Sequence, residues 1–386
     1  MTHAGKQHCD TLDLIRALAA AAVCVSHLRN LMFVDYAATQ GMGLAGKAFY
    51  FVSNYGHTAV IVFFVLSGYF VGGSVLRQSA SGTWTWRRYL TERLSRLWIV
   101  LIPALALTLF WDRMGIALVG GPFYLGSEGN FDQTINVASH LGYSTFVCNV
   151  AFLQTLACGT FGSNGPLWSL ANEFWYYLWF PACYVLFRNR RGLAVFMQGA
   201  LALATMVMFP SLLSGFGLWL LGGLLAWLEQ TFPRRTVRTG LPLFTLGSGV
   251  LFLGALAATR STVFNSDWIV GVACFIFLRC VLWEDVRLKP LLLSRLAIRF
   301  SGFSYSLYLT HFPLVLFVVA VTTGHRIQLD LHGVAMFAAL LAGCYAYAYA
   351  VYLLFENNTR RVQRTLAQLH LMRPKAAPDA ANSMRT

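Results

Sequence analysis

The chain has 386 residues, 57% hydrophobic and only 11% charged, with a net charge of +14 and a mean hydropathy of +0.58. Soluble domains carry roughly a quarter charged residues, so this composition excludes a disordered chain, an ordinary soluble enzyme and a nucleic-acid module. Most apolar residues fall in runs near the ~20 residues that cross a bilayer, and the chain reads as an all-α, polytopic membrane bundle of about ten helices.

In chain order the predicted spans are 12–33, 57–76, 98–119, 167–187, 193–209, 212–228, 241–258, 268–283, 303–322 and 333–355. The third is the weakest, because Asp112 and Arg113 interrupt its far end. The fifth and sixth form one apolar stretch divided at Phe209-Pro210-Ser211, a turn signal. The longest non-membrane stretch, about 120–166, carries Gly120-Gly121-Pro122 and Gly162-Ser163-Asn164-Gly165. Its apolar piece, 146–156, lies in the interface or re-enters. The first span is expected to be retained rather than cleaved as a signal peptide. Arg16 interrupts its core, the apolar run continues past His27 to Phe33, and nine spans follow. No internal repeat of the kind seen in transporters built from matched halves is present. The expectation is one membrane domain over 1–386, with its core at 12–361 and short polar tails.

Ten spans put both termini on one side. Of the 29 Lys and Arg residues, 23 fall on that side and five on the other (Arg29, Lys47, Arg113, Arg260 and Arg326), with Arg16 inside a span. That asymmetry alternates loop by loop and predicts cytoplasmic termini. The basic charge then marks topology and calls for no nucleic-acid partner. Among the eight cysteines, Cys24, Cys183, Cys274, Cys280 and Cys344 fall in spans as small apolar fillers. Cys148 and Cys158 share the outer loop, where oxidation is open to them and Cα geometry decides pairing.

Ionisable side chains inside a bilayer cost ~2.5–3.5 kcal/mol on insertion scales and are functional candidates by default. Arg16 and His27 are eleven positions apart, near three helical turns, so they share a face ~16 Å apart along the axis. Asp13, three residues before Arg16, reaches the same face. A buried Asp–Arg pair with a hydrogen-bonded core histidine accounts for these three residues as well as a reaction centre does. No paired His or Cys spacing points to a metal, and no Gly-x-Ser-x-Gly elbow or phosphate loop appears.

Further segments narrow the choice. Leu12-Asp13-Leu14-Ile15-Arg16 with its ten-residue gap to His27 is followed by Phe63-Phe64-Val65-Leu66-Ser67-Gly68-Tyr69 and the basic run from Trp86 to Leu97. Then come Gly165-Pro166-Leu167-Trp168-Ser169-Leu170-Ala171-Asn172-Glu173 and Tyr305-Ser306-Leu307-Tyr308-Leu309-Thr310-His311-Phe312-Pro313. In this order the set closely resembles the membrane acyltransferase-3 family, over about 12–361. The resemblance implies transfer of acyl groups, commonly acetyl from acetyl-CoA, to hydroxyls of cell-surface carbohydrates or small glycosylated products. The family's arginine–histidine pair falls on Arg16 and His27, and its second basic pair on Arg93 and Arg96. Its serine-glycine-phenylalanine is here Ser67-Gly68-Tyr69, and a frequent paired glutamate is reduced to Glu173. Glu356 with Arg360 and Arg361 resembles the family's last motif, read as a cytoplasmic cap.

Acyl transfer from a thioester to a hydroxyl needs a base for the acceptor proton and a donor for the tetrahedral oxyanion. Histidine titrates near neutrality and suits the first role. The catalytic expectation is His27 as general base, Glu173 orienting its imidazole if the fourth span packs against the first, and Arg16 nearby. Arg93 and Arg96, one turn apart, suit CoA phosphates, although positive-inside anchoring also explains them. Ser67 is a candidate on the pantetheine path. Trp168, His311 and Asp13 are candidate substrate contacts; for His311 the plainer alternative is a hydrogen bond holding the helix broken by Pro313. The donor expected is acetyl-CoA, the other partners a carbohydrate acceptor and membrane lipid, and no metal. A transporter or flippase for a lipid-linked sugar would use the same buried charges for translocation.

Overall fold

The computed structural model describes residues 3–39, 43–120, 124, 136–188, 192–232, 242–260, 266–284, 299–366 and 368, with the side chains of residues 3–10 excepted. Most of 121–135 lies outside the described residues. So do Arg190, Arg191, Arg234, Arg235, Arg238, Arg287, Lys289, Arg295, Arg373, Lys375 and Arg385 of the basic side, and the Lys6 side chain.

Each predicted span is a helix: α1 (His3–Met32), α3 (Gly56–Ser67) continued by α4 (Gly73–Ala80), α5 (Trp86–Val119) and α7 (Trp168–Arg188). They are followed by α8 (Leu193–Met208), α9 (Leu213–Thr231), α10 (Leu243–Ala258), α11 (Asp267–Trp283), α12 (Ser304–Thr322) and α13 (Leu331–Leu354). Short helices α2 (Leu44–Val52), α6 (Tyr143–Val150) and α14 (Thr359–Leu366) lie between and after them. Six segments, holding α1, α2–α4, α5, α9, α12 and α13–α14, are long and apolar enough to cross a membrane. The bundle is therefore helical and membrane-spanning, as its hydropathy requires. Contacts among the described residues sort the helix ends into two sides. At one side Phe33 bridges Ile327, Arg260 donates to the Asn54 carbonyl and His57 meets Asp267. At the other, Arg16 donates to Ser301, Tyr305 to Leu97, and Gln363 to Ser95.

The third span, weakest by sequence, runs unbroken through Asp112 and Arg113 in α5, one helix of 34 residues. The Asp112 carboxylate is fully buried and accepts from the Ser163 amide (2.8 Å) and hydroxyl (2.7 Å), so the outer loop supplies its counterpart. A side chain at Gly162 would collide with that carboxylate, and its backbone is left-handed (φ +56°), which only glycine adopts at little cost. The apolar loop piece re-enters: Trp98 and Trp175 donate their indole N–H groups to the carbonyls of Val150 and Phe152. Phe152 is buried, stacked on Phe174 with centroids 4.4 Å apart. Irregular backbone is tolerated at this depth because protein, not lipid, surrounds it. Cys148 and Cys158 form a disulfide within it, their Cα atoms 6.5 Å apart.

Between α3 and α4 the helix passes through a π-helical turn, Gly68–Gly72. Here α9 approaches at backbone contact. A Cβ at Gly68 would lie 1.9 Å from the Trp219 carbonyl oxygen, and one at Gly222 equally close to that of Val65. The Gly68-x-x-x-Gly72 spacing is thus a packing device. Tyr69, where a phenylalanine is the familiar residue, gives its hydroxyl to Glu229 of α9.

Proline inside a helix leaves the carbonyl four residues earlier without its N–H donor. Two such gaps are filled from neighbouring elements. Tyr89 of α5 donates its hydroxyl to the Tyr177 carbonyl (3.0 Å), the partner Pro181 lacks. Asn164 of the outer loop donates its amide to the Leu309 carbonyl (2.8 Å), the partner Pro313 lacks, and to Thr108 (3.1 Å). An unsatisfied buried carbonyl costs ~1–3 kcal/mol. Asn164→Ala is therefore expected to lower the thermal unfolding temperature of the detergent-purified protein. The loss should be smaller in a Pro313→Ala background, which restores the missing backbone N–H, and a double-mutant cycle measures the difference.

Candidate functional site

The candidate residues gather in two adjoining groups. The first is a cavity of ≈ 410 Å³ walled by α1, α3–α4, α5, α7 and α12, on the side that holds the termini. Arg16, Arg77, Arg93 and Arg96 line it with Ser67 and Glu173, the one carboxylate among its described lining residues. Arg16 is held by Asp13 (3.0 Å) and by the Ser301 carbonyl and hydroxyl (3.2 and 3.3 Å). Arg77, Arg93 and Arg96 form no ion pair among the described residues. The Arg93 Nε is buried without a hydrogen-bond partner, and its guanidinium lies over Tyr89, 5.9 Å from the ring centroid. By contrast Arg88, on the outer face of the same helix, pairs with Glu92. A cavity lined by three guanidinium groups without ion-pair partners fits an anionic ligand, since arginine's planar fork binds phosphate bidentately.

Glu173 accepts from Ser67 (2.6 Å) and from the Tyr177 hydroxyl, and the Trp219 indole donates to Ser67 (3.2 Å). Ser67 sits at the last turn of α3, immediately before the π-helical turn, so the packing of α9 on Gly68 also sets its position. The sequence expectation that Glu173 orients His27 is not what the geometry brings together: the partners of Glu173 are Ser67 and Tyr177.

The second group is a histidine pair. His27 Nδ1 lies 2.8 Å from His311 Nε2, and the rings are stacked with an interplanar angle of 8°. His311 is fully buried, whereas His27 retains accessible surface. The protons follow from the partners. His311 Nδ1 faces the Leu307 carbonyl at 2.7 Å, which only accepts, so Nδ1 carries the hydrogen. In the neutral ring Nε2 is then an acceptor, and the His27 Nδ1–H donates to it. This leaves the lone pair of His27 on Nε2, which no described residue engages. A histidine fixed this way presents a free basic nitrogen, the arrangement a carboxylate produces in a triad. Asn164 fills the gap at Pro313, and His311 uses one ring nitrogen on the Leu307 carbonyl of its own helix and the other on His27.

The pair does not line the cavity. Tyr308, one turn before His311, lines it with its ring 6.4 Å from the imidazole, and Phe63 packs against Tyr308. The Tyr308 hydroxyl bonds Ser169 (2.6 Å) and donates to the Pro166 carbonyl (3.1 Å). Beyond them Trp168 stacks with His57, which binds Asp267 at 2.9 Å. Glu356, expected as a cap, does cap: its carboxylate accepts from the Ser306 amide (3.1 Å) and hydroxyl (2.6 Å) in the first turn of α12. Among the described residues no group of three or more His, Cys, Asp or Glu is placed to hold a metal ion.

The chain as a whole carries the remaining decision: residues 10–353 match the family model described as an acyltransferase domain. The chain belongs to the membrane acyltransferase-3 family. No curated protein and no solved structure matches it. This is a membrane acyltransferase, and its motif residues fall where the two groups were found: Arg16 and His27 on α1, Ser67 at the π-helical turn, Arg93 and Arg96 on α5, Glu173 on α7 and His311 on α12. Arg77 and Tyr177 join the acyltransferase cavity although no sequence motif singles them out. The charge asymmetry absorbs Arg77; its place just after Gly72-Gly73-Ser74 is the available signal.

Replacing His311 with alanine removes the acceptor that fixes the His27 tautomer. Acyl transfer should fall by part of the ~10²–10⁴-fold that general acid–base catalysis supplies. Nitrogen-15 histidine spectra should show His27 moving from a single Nδ1–H tautomer to a mixture. An unchanged rate and tautomer would leave the pair a packing contact.

Proposed function

We propose that this acyltransferase takes acetyl from acetyl-CoA on the cytoplasmic side of a bacterial inner membrane and transfers it to a hydroxyl of an exported or lipid-linked carbohydrate. The observation that carries the donor side is the cavity whose Arg77, Arg93 and Arg96 lack ion-pair partners among the described residues. Positive-inside topology accounts for arginines at this face of the membrane, but not for three of them facing one cavity. Its ≈ 410 Å³ lies in the range of sites that enclose a small ligand. Diphosphate at Arg93 and Arg96 would send the pantetheine arm past Ser67 and Glu173 towards Tyr308 and the histidine pair.

In this reading His27 Nε2 takes the proton of the acceptor hydroxyl as its oxygen attacks the thioester carbon. The tetrahedral intermediate collapses with loss of CoA thiolate, which recovers that proton from the imidazolium. His311 is a positioning residue, because it accepts the Nδ1–H that strengthens as charge develops. The acceptor enters from the opposite side, beside Trp168. The disulfide Cys148–Cys158, in a segment that enters from that side, supports an oxidising outer compartment and cytoplasmic termini. A small glycosylated metabolite in place of the surface glycan uses the same chemistry, and radiolabel transfer from acetyl-CoA separates both from a flippase.

His27→Ala is expected to insert normally and to abolish transfer of labelled acetyl; retained turnover would remove His27 from the mechanism. Arg93→Ala should raise the apparent KM for acetyl-CoA about tenfold or more, as expected for loss of a charge-assisted phosphate contact worth ~1.5–3 kcal/mol, while leaving the acceptor dependence unchanged. An unchanged donor response would return this stretch of α5 to topology alone.

A further inference from the structure

Only five basic residues fall on the side away from the termini, and three of them converge. Arg29, near the end of α1, has the charges of Arg260, Arg326 and Asp35 as its neighbours. Asp35 is already engaged, at 3.0 Å, by Arg326. Arg260 holds its guanidinium over Tyr55 (4.6 Å to the centroid) and donates to the Asn54 carbonyl (2.7 Å). Arg29 itself is 5% exposed and lies over Tyr50, whose hydroxyl is turned away to the Val34 carbonyl. Among the described residues Arg29 makes no hydrogen bond and no ion pair, and its Nε is sealed from solvent without a partner.

A buried cation without a counter-ion is among the most costly features a fold can keep. Asp35, shared with Arg326, offsets that cost only in part, and the neighbouring arginines add to it. Asp112, the other fully buried Asp, Glu, Lys or Arg among the described residues, has a designated partner in Ser163, and the lack of one at Arg29 marks a place filled from outside. A guanidinium with all its N–H groups available recognises planar or tetrahedral oxyanions. Arg29 is two residues from His27, ~3 Å along the same helix but ~200° around it, so a group held there sits at the depth of the reaction centre on the other side of α1.

We propose that Arg29, flanked by Arg260 and Arg326, is an oxyanion site that engages a phosphate or carboxylate carried by the acceptor. The acceptor assignment rests on the acyltransferase reading above; anion binding at Arg29 does not. The test is thermal unfolding of the full-length protein in phosphate-free detergent at matched ionic strength, with glucose 1-phosphate, glucuronate or neutral glucose. Glucose 1-phosphate or glucuronate should raise the unfolding temperature by several degrees and glucose should not. Arg29→Met should abolish the shift while unfolding no earlier than the parent without ligand, because it removes an uncompensated charge. Arg260→Gln, at an exposed position, should diminish the shift, and Arg93→Ala should leave it intact. An equal shift with glucose, a shift kept in Arg29→Met, or a ligand-free Arg29→Met that unfolds early or does not fold would each overturn the proposal. A shift lost in Arg93→Ala would move the anion to the donor cavity. In nanodiscs, phosphatidylglycerol that suppresses the shift relative to phosphatidylcholine would assign the oxyanion to bulk lipid instead of the acceptor. Loss of acetyl transfer with the shift retained would overturn the donor reading and leave this site standing.

Discussion

Hydrocarbon offers a polar side chain no water, so each one inside this bundle needs a partner from another part of the chain. That constraint organises the interior. Glu173 is matched to Ser67 and Tyr177, Asp112 to Ser163, Glu356 to Ser306, and His27 to His311. Most of these matches join elements far apart in sequence, and with the bonds of Tyr89 and Asn164 to backbone they tie α1, α3, α5, α7, α12 and the outer loop into one body. The same demand reaches the backbone, where Tyr89 and Asn164 answer carbonyls that proline has deprived of donors.

Helix α12 shows how the demands interlock. Glu356 caps its start, Asn164 repairs its proline gap, and α1 and α5 pack along it. With its backbone accounted for, His311 is free to direct its outer nitrogen at His27. The histidine-bearing face of α1 is therefore set in part by a loop residue, Asn164, whose own amide bonds go to Leu309 and Thr108. Structural and chemical roles are distributed over different residues, which is why the histidine pair can be specific about its protons.

Much of this is legible in the residues alone. Hydropathy locates a helix at each of the ten predicted spans among the described residues, because the demand for internal hydrogen bonding leaves few alternatives to a helix in lipid. Helical spacing puts Asp13, Arg16 and His27 on one face, and the contact of Asp13 with Arg16 follows from it. Partnerships across helices are not legible. Chemical precedent pairs Glu173 with His27, whereas packing gives it Ser67, and the 284 positions between His27 and His311 carry no local signal. Arg77 is hidden for a different reason: a cation at a membrane boundary is what a positive-inside topology demands anyway, so its place in the cavity leaves no excess to notice. Re-entry of the outer loop stays open in the sequence because an apolar run looks alike at an interface and inside a protein.

The π-helical turn at Gly68–Gly72 has a consequence for how this wall of the cavity is aimed. A π turn holds about one residue more than the α turn it replaces, and each residue in an α-helix advances the azimuth by ~100°. Everything after Gly72 is thereby rotated relative to Ser67. Removing one residue from the turn would restore an unbroken helix and leave hydropathy and charge intact. It would also swing Arg77 by about a quarter of a circle off the cavity. The single surplus residue acts as an angular offset between the serine and arginine of one wall, a quantity that composition does not record.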